Sequence, residues 1–225
     1  MKRILIGVIS ALLLVAGSGA ARAETGKGIE AGVQMWVNEW THDVPGAGSI
    51  TSDSTVLFGP AITVQFPNHV FVDASYLFSV SDYTFVSDTI YNDERQDANV
   101  AIGYMIVPGF GVVAGYKNSS FKEKETGIKD TVYGPHIGMV GIAPMYGNSA
   151  FYGKFNYLFT RFKQKDASGV FQEESPGWTF ELGFKADFTR EFFGTFGYKY
   201  ETNTGSNSNI EDSFSGLIFG AMFVF

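Results

Sequence analysis

From Gly28 onward the chain alternates. In segment after segment of about ten residues, large apolar and aromatic side chains take every second position, and charged or small ones take the positions between. Strand side chains point alternately to two faces, so each segment reads as a two-faced strand. In the stretch 178–188, Trp178, Phe180, Leu182, Phe184, Ala186 and Phe188 share one face, opposite Glu181, Gly183, Lys185 and Asp187. Asp73, Asp97, Lys117, Lys154 and Lys199 also fall on the non-aromatic face of their segments, which is rich in glycine. A lipocalin-like barrel or a β-sandwich would turn the aromatic face inward and its outside would be polar. That inversion crowds rows of Phe, Tyr and Val into one small interior, whereas burying the charged face in a soluble core is costly. The expected solution is the reverse: aromatic residues against lipid and charges around a polar lumen.

Ten such segments are legible, starting near 28–40, 55–66, 70–80, 97–106, 110–117, 133–139, 151–159, 178–188, 196–201 and 216–225. Short turns fall near 67–69, 107–109, 144–149 and 189–191. Longer polar loops are expected near 41–54, 82–95, 118–130, 163–175 and 202–212. Alternating short and long connections predict an all-β, up-and-down antiparallel transmembrane β-barrel with short turns at the periplasmic end. The sixth segment is interrupted by Gly134, Pro135, Gly138 and Gly141, which leaves eight strands as the alternative. There, Tyr133, Ile137 and Met139 are expected outward and His136 inward.

The two ends sharpen this reading. The last segment places Leu217, Phe219, Ala221, Phe223 and Phe225 on one face. It resembles the C-terminal signal strand of small bacterial outer-membrane β-barrel proteins of OmpA/OmpX-type architecture, which implies Phe219, Phe223 and Phe225 as an assembly signal. No subfamily fingerprint accompanies it. At the other end Lys2 and Arg3 precede an apolar run to about Ala16 and an Ala21-Arg22-Ala23 pattern. This reads as a Sec signal peptide over 1–23, cleaved after Ala23, leaving 24–225 as one barrel domain. Cleavage lowers the basic count from 16 to 13 against 23 acidic residues, a net charge of −10. That argues against nucleic acid, which calls for a basic footprint. Zero cysteines exclude disulfides and thiol sites. The implied setting is a Gram-negative cell envelope, with the outer membrane as location. Outer-membrane lipid, lipopolysaccharide, the barrel-assembly machinery and periplasmic chaperones are the expected partners, and the chain is expected to be monomeric.

Candidate lumen residues are Glu30, Asp73, Asp97, Lys117, His136, Lys154, Glu181, Lys185 and Lys199, with Asp187 and Glu201 beside them. Lys154 should face Glu181 or Lys185 across neighbouring strands. Mixed charges of this kind either form a salt-bridged plug or line a narrow porin-like path, since small barrels fill their interiors with side chains. Trp36, Phe71 and Met105 are large enough to pack against the inward glycines.

Fold alone does not give function. An omptin-like protease site would need paired carboxylates facing an Asp-His pair, and neither Asp-x-Asp at a strand top nor Asp-x-His occurs. A lipid A-modifying site could use His42 with Ser81-Asp82 or Ser87-Asp88, but supported nucleophiles are not evident. No enzyme and no cofactor or metal site is expected, because the acidic loop residues lack calcium-ligand spacing. Lys122, Lys124, Arg161, Lys163 and Lys165 lie near the outer rim, where lipopolysaccharide phosphates are natural partners. Interspersed Glu123 and Glu125 leave ordinary surface charge as the alternative. The expected role is structural or surface interaction, with a narrow diffusion channel as the alternative.

Overall fold

Alternation with few breaks leaves the backbone one economical way to satisfy its amides, strand against strand. The computed structural model describes residues 28–86, 90–166 and 169–225. The expected signal peptide and the Ser87-Asp88 pair lie outside the described residues. The strands are β1 (Gly28–Val44), β2 (Gly48–Thr51), β3 (Thr55–Gln65), β4 (Val70–Ser79), β5 (Tyr83–Val86), β6 (Ile90–Val107) and β7 (Phe110–Glu123). They continue with β8 (Lys129–Pro144), β9 (Ser149–Leu158), β10 (Arg161–Lys165), β11 (Val170–Glu174), β12 (Gly177–Asp187), β13 (Phe192–Thr204) and β14 (Glu211–Val224).

Ten strands form a closed antiparallel ring in the order β1, β3, β4, β6, β7, β8, β9, β12, β13 and β14. β14 returns to β1 in unbroken register from Glu30↔Val224 to Asp43↔Glu211. Phe225 completes the seam, its N–H donating to the Ile29 carbonyl at 2.9 Å. The expected ten strands therefore stand. β8 runs unbroken from Lys129 through Pro144 despite its glycines and proline, and the eight-strand alternative falls away. Pro135 lacks a donor, yet its carbonyl accepts from Phe159 N–H at 2.9 Å, so the ladder continues past it.

The faces follow the alternation. Val100, Ile102, Tyr104 and Ile106 on β6 are 48–56% exposed, and comparable residues surround the ring. Scattered exposed apolar residues are ordinary, but a continuous band of them marks a surface made for another apolar phase. Tyr76, Tyr116, Tyr157, Trp178 and Tyr200 sit toward the far ends of these faces, where an interfacial girdle belongs, and Trp178 stacks near Tyr200 with centroids 4.8 Å apart. On β14, Phe219 lies 5.2 Å from Phe196 and Phe223 lies 5.0 Å from Phe192. The outward phenylalanines of the last strand are thus half of a cross-strand aromatic ladder.

The expected loops are corrected. The stretches 41–54, 82–95, 118–130 and 163–175 are mostly β-structure and 202–212 is partly so, because ring strands climb past the girdle and β2, β5, β10 and β11 add ladders outside the ring. Polar residues do not stop a strand whose two faces both meet water, and the ladder satisfies the backbone there too.

Candidate functional site

The upper lumen is closed by side chains. Trp36, Tyr83, Phe85, Phe121 and Phe214 are buried in one cluster with Leu57, Leu77, Val132 and Ile218, and Trp40 packs against it. β5 folds back so that Tyr83 and Phe85 enter this cluster, and the Tyr83 hydroxyl donates to Asn38 Oδ1 at 2.7 Å. Arg95 lies at its centre, fully buried. Its guanidinium sits 3.9 Å from the Phe214 ring centroid and 5.2 Å from those of Trp36 and Phe121.

The charges on Arg95 are paired as well as stacked. Nε and Nη2 donate to the two oxygens of Asp97 at 2.8 and 2.7 Å, a bidentate contact. Nη2 also donates to Glu201 Oε1 at 2.9 Å, and Lys117 pairs with the other oxygen of Glu201. β6 and β13 lie five places apart in the ten-membered ring, so the Arg95–Glu201 bond crosses the whole lumen. Lys199 caps the group, its ammonium 4.0 Å from the Trp36 ring. Asp97, Lys117 and Lys199 line the interior of the ring. Arg95 stands on β6, not in the loop expected over 82–95. The missed signal was parity, since Arg95 continues the inward series Asp97, Asn99, Ala101 and Gly103.

Below this plug the lumen is looser. A cavity of about 130 Å³ is lined by Asp73, His136, Lys154, Asn156 and Glu181 among others. Lys154 stands directly across from Glu181 in the β9–β12 register, whereas Lys185 is opposite Ala150. Lys154 also lies 3.9 Å from Asp73 on the far side. His136 Nε2 meets Asn99 Oδ1 at 2.9 Å. Toward the turn end, Lys185 lies between Glu30 (3.9 Å) and Asp187 (3.7 Å) with Phe193 beneath its ammonium. Phe71 and Met105 fill space over Gly103 and Gly111, so a Cβ on either glycine would collide.

Above the plug, at the outer rim, the β1–β14 seam brings His42 and Asp212 together, Nδ1 to Oδ1 at 2.7 Å. The Trp40 indole donates to the same carboxylate oxygen at 2.8 Å. The Asp212 hydrogen bond raises the His42 pKa against the opposing effect of burial. Across the mouth, burial pushes the carboxyl of Asp130 up to about 6, and Asp212 and Glu123 add to it. Asp93, paired in register with Glu123, is pushed up to about 7 by burial and by the neighbouring Glu123 and Asp130. The Asp-His contact sought as a sequence motif therefore exists in space, between residues 170 positions apart. His42 does not meet Ser81-Asp82: Asp82 instead holds Lys124 at 2.8 Å. Among the described residues no cluster of three or more His, Asp or Glu is arranged to hold a metal.

The ring, its apolar outer band and its charged interior define a class, the small outer-membrane β-barrel fold. No family model and no curated protein matches the chain. Among solved structures it is similar to the outer membrane protease OmpT from Escherichia coli, with a TM-score of 0.58 and 12% identity over 88% of this chain and 96% of that one. It is also similar to the translocator domain of the autotransporter NalP from Neisseria meningitidis, with a TM-score of 0.54 and 12% identity over 97% of this chain and 95% of that domain. Identity this low speaks for the fold alone.

Proposed function

We propose that this protein is a non-conducting barrel of a Gram-negative outer membrane, whose work is structural or is done by its external surface. One observation carries the reading: the Arg95–Glu201 bond spans the lumen within a packed aromatic cluster. A conducting path needs a continuous polar opening, and here the cross-section is occupied by rings stacked on a guanidinium. Planar-bilayer recording of the refolded chain tests it. The wild type is expected to be silent, and Arg95→Ala combined with Trp40→Ala and Phe214→Ala is expected to produce discrete, salt-dependent steps. Discrete steps from the wild type would turn the reading to a narrow channel.

A second reading, a hydrolase acting at the outer rim, has one observation in its favour. His42 is held and oriented by Asp212 at 2.7 Å, opposite a carboxyl whose pKa of about 6 keeps part of it protonated near neutrality. A base and an acid that feel each other's charge at one rim have the ingredients of general acid–base chemistry. The check is cleavage of a mixed peptide library and release of acyl chains from lipid A. Turnover lost in both His42→Ala and Asp212→Asn would establish it, and no turnover in the wild type would remove it.

A further inference from the structure

The outer face of the barrel carries a set of cations that ring strands β7 and β8 and the added strand β10 put in register. Lys122 on β7 stands directly across from Lys129 on β8, and Lys129 directly across from Lys165 on β10. Two residues lower the row is Ser120, Thr131 and Lys163, and two lower again Asn118, Tyr133 and Arg161. Lys122, Lys129, Arg161, Lys163 and Lys165 are all exposed, and none has an ion pair among the described residues. Like charges directly opposite on neighbouring strands repel, so the Lys129–Lys165 end of the row, away from Glu94 at its β6 end, is favoured by an anion lying over it.

The acidic residues interspersed in the sequence do not fill that place. Glu123 belongs to the opposite face of β7, in register with Asp93. Glu125 turns to Asn92, accepting from its side chain at 2.6 Å and from its backbone N–H at 3.1 Å. Lys124, which adjoins the patch in sequence, leaves it to pair with Asp82 and Glu94. Glu94 and Glu174 bound the patch on its two sides, opposite Lys122 and Arg161 in register. Asp166 lies beside Lys129 and Lys165 at the tip of the patch, so what remains is a basic field with acidic edges at Glu94, Glu174 and Asp166.

Its position selects the ligand. Arg161, Lys163 and Lys165 continue the outward series Phe155, Tyr157 and Phe159 that belongs to the apolar band. They lie two to six residues past Phe159, roughly 7–20 Å along the strand at about 3.3 Å per residue. That is headgroup height, on the side facing the bilayer and not the lumen. We propose that the outward face of β7, β8 and β10 binds the phosphate groups of an outer-leaflet glycolipid, with Lys122, Lys129, Lys163, Lys165 and Arg161 as its donors. The proposal rests on the barrel lying in an outer membrane. Arg and Lys make their strongest hydrogen bonds to such ionised acceptors, and the phosphates would relieve the lysine row.

The test uses the mature chain refolded in detergent micelles free of glycolipid. It is titrated with bis-phosphorylated lipid A, with the same lipid stripped of phosphate, and with inorganic phosphate. Native mass spectrometry reads binding, and the temperature at which the folded electrophoretic form is lost reads protection. Lipid A is expected to bind, and the dephosphorylated lipid to bind roughly ten-fold or more weakly, the scale of one lost charge-assisted contact. The variant Lys129→Gln/Lys163→Gln/Lys165→Gln should show the same loss, its Lys→Arg counterpart should retain binding, and Lys124→Gln should match the wild type. Equal binding of the two lipids overturns the proposal, as does equal protection by inorganic phosphate, which would mark a free-phosphate site. The lipid comparison uses the native chain, so it decides the matter even where the triple variant does not fold. Failure of the barrel reading itself would appear separately, as no folded form in micelles.

Discussion

Arg95 joins the two halves of the interior, and its removal would strand two buried carboxylates. Asp97 would lose both of its short contacts and Glu201 would keep only Lys117. Leaving a buried charge unpaired costs about 3–5 kcal/mol. Arg95→Ala is therefore expected to destabilise the barrel by about that much in urea unfolding from micelles. The paired change Arg95→Ala/Glu201→Ala should cost less than the sum of the single changes, because both remove the same contact. The rim titrates differently. His42, Asp93 and Asp130 all have folded-state pKa values above their ordinary ones. Stability they contribute is complete below the ordinary values and is lost as pH rises through the folded ones. For Asp93 that window runs from 3.8 to about 7. Asp93→Asn is expected to flatten the decline between pH 4 and 8 by about 1 kcal/mol after allowance for solvent screening. A variant as pH-dependent as the wild type would contradict this.

At the scale of elements, backbone approach decides which glycines matter. A Cβ on Gly216 would come within 1.9 Å of the Val37 carbonyl oxygen at the β1–β14 seam. Gly28, at the same seam, would meet nothing closer than 3.9 Å. Gly216→Val should therefore abolish the folded form in micelles, while Gly28→Ala leaves its yield unchanged on a heat-mobility gel. Gly109 has a different reason to be glycine, since its φ of 82° in the β6–β7 turn is a conformation other residues rarely adopt. The last strand adds one expectation. Phe225 bonds to Ile29 across the closing seam, so its deletion should slow folding into vesicles, measured by the appearance of the folded band.

For the whole molecule, the interior has two zones with separate consequences. The upper zone is packed by the aromatic cluster around Arg95, and the lower zone holds a cavity of about 130 Å³. Lys154→Ala and Glu181→Ala should both leave bilayer recordings silent while lowering stability, because their contacts lie below the Arg95 network. Conductance gained from either change would place the constriction at their level instead.

Much of this was legible in the chain. Period-two alternation assigns faces residue by residue, so the ten strands follow from local pattern and turn position, and Lys154 is brought opposite Glu181 or Lys185, between which only the strand register chooses. Arg95, Tyr83, Phe121 and Phe214 were not legible, because their surroundings carry the composition of loops and alternation weakens where both faces of a strand are polar. Which side chains meet across the lumen is a still less local property. Arg95 and Glu201 are 106 residues apart, and His42 and Asp212 170. Ring closure and stagger bring them together, and no spacing along the chain encodes that distance. The sequence by itself determined that this protein is a two-faced barrel with its charges inside. Tertiary structure decided that those charges lock to one another within an aromatic plug, because only the closed ring sets strand against opposite strand.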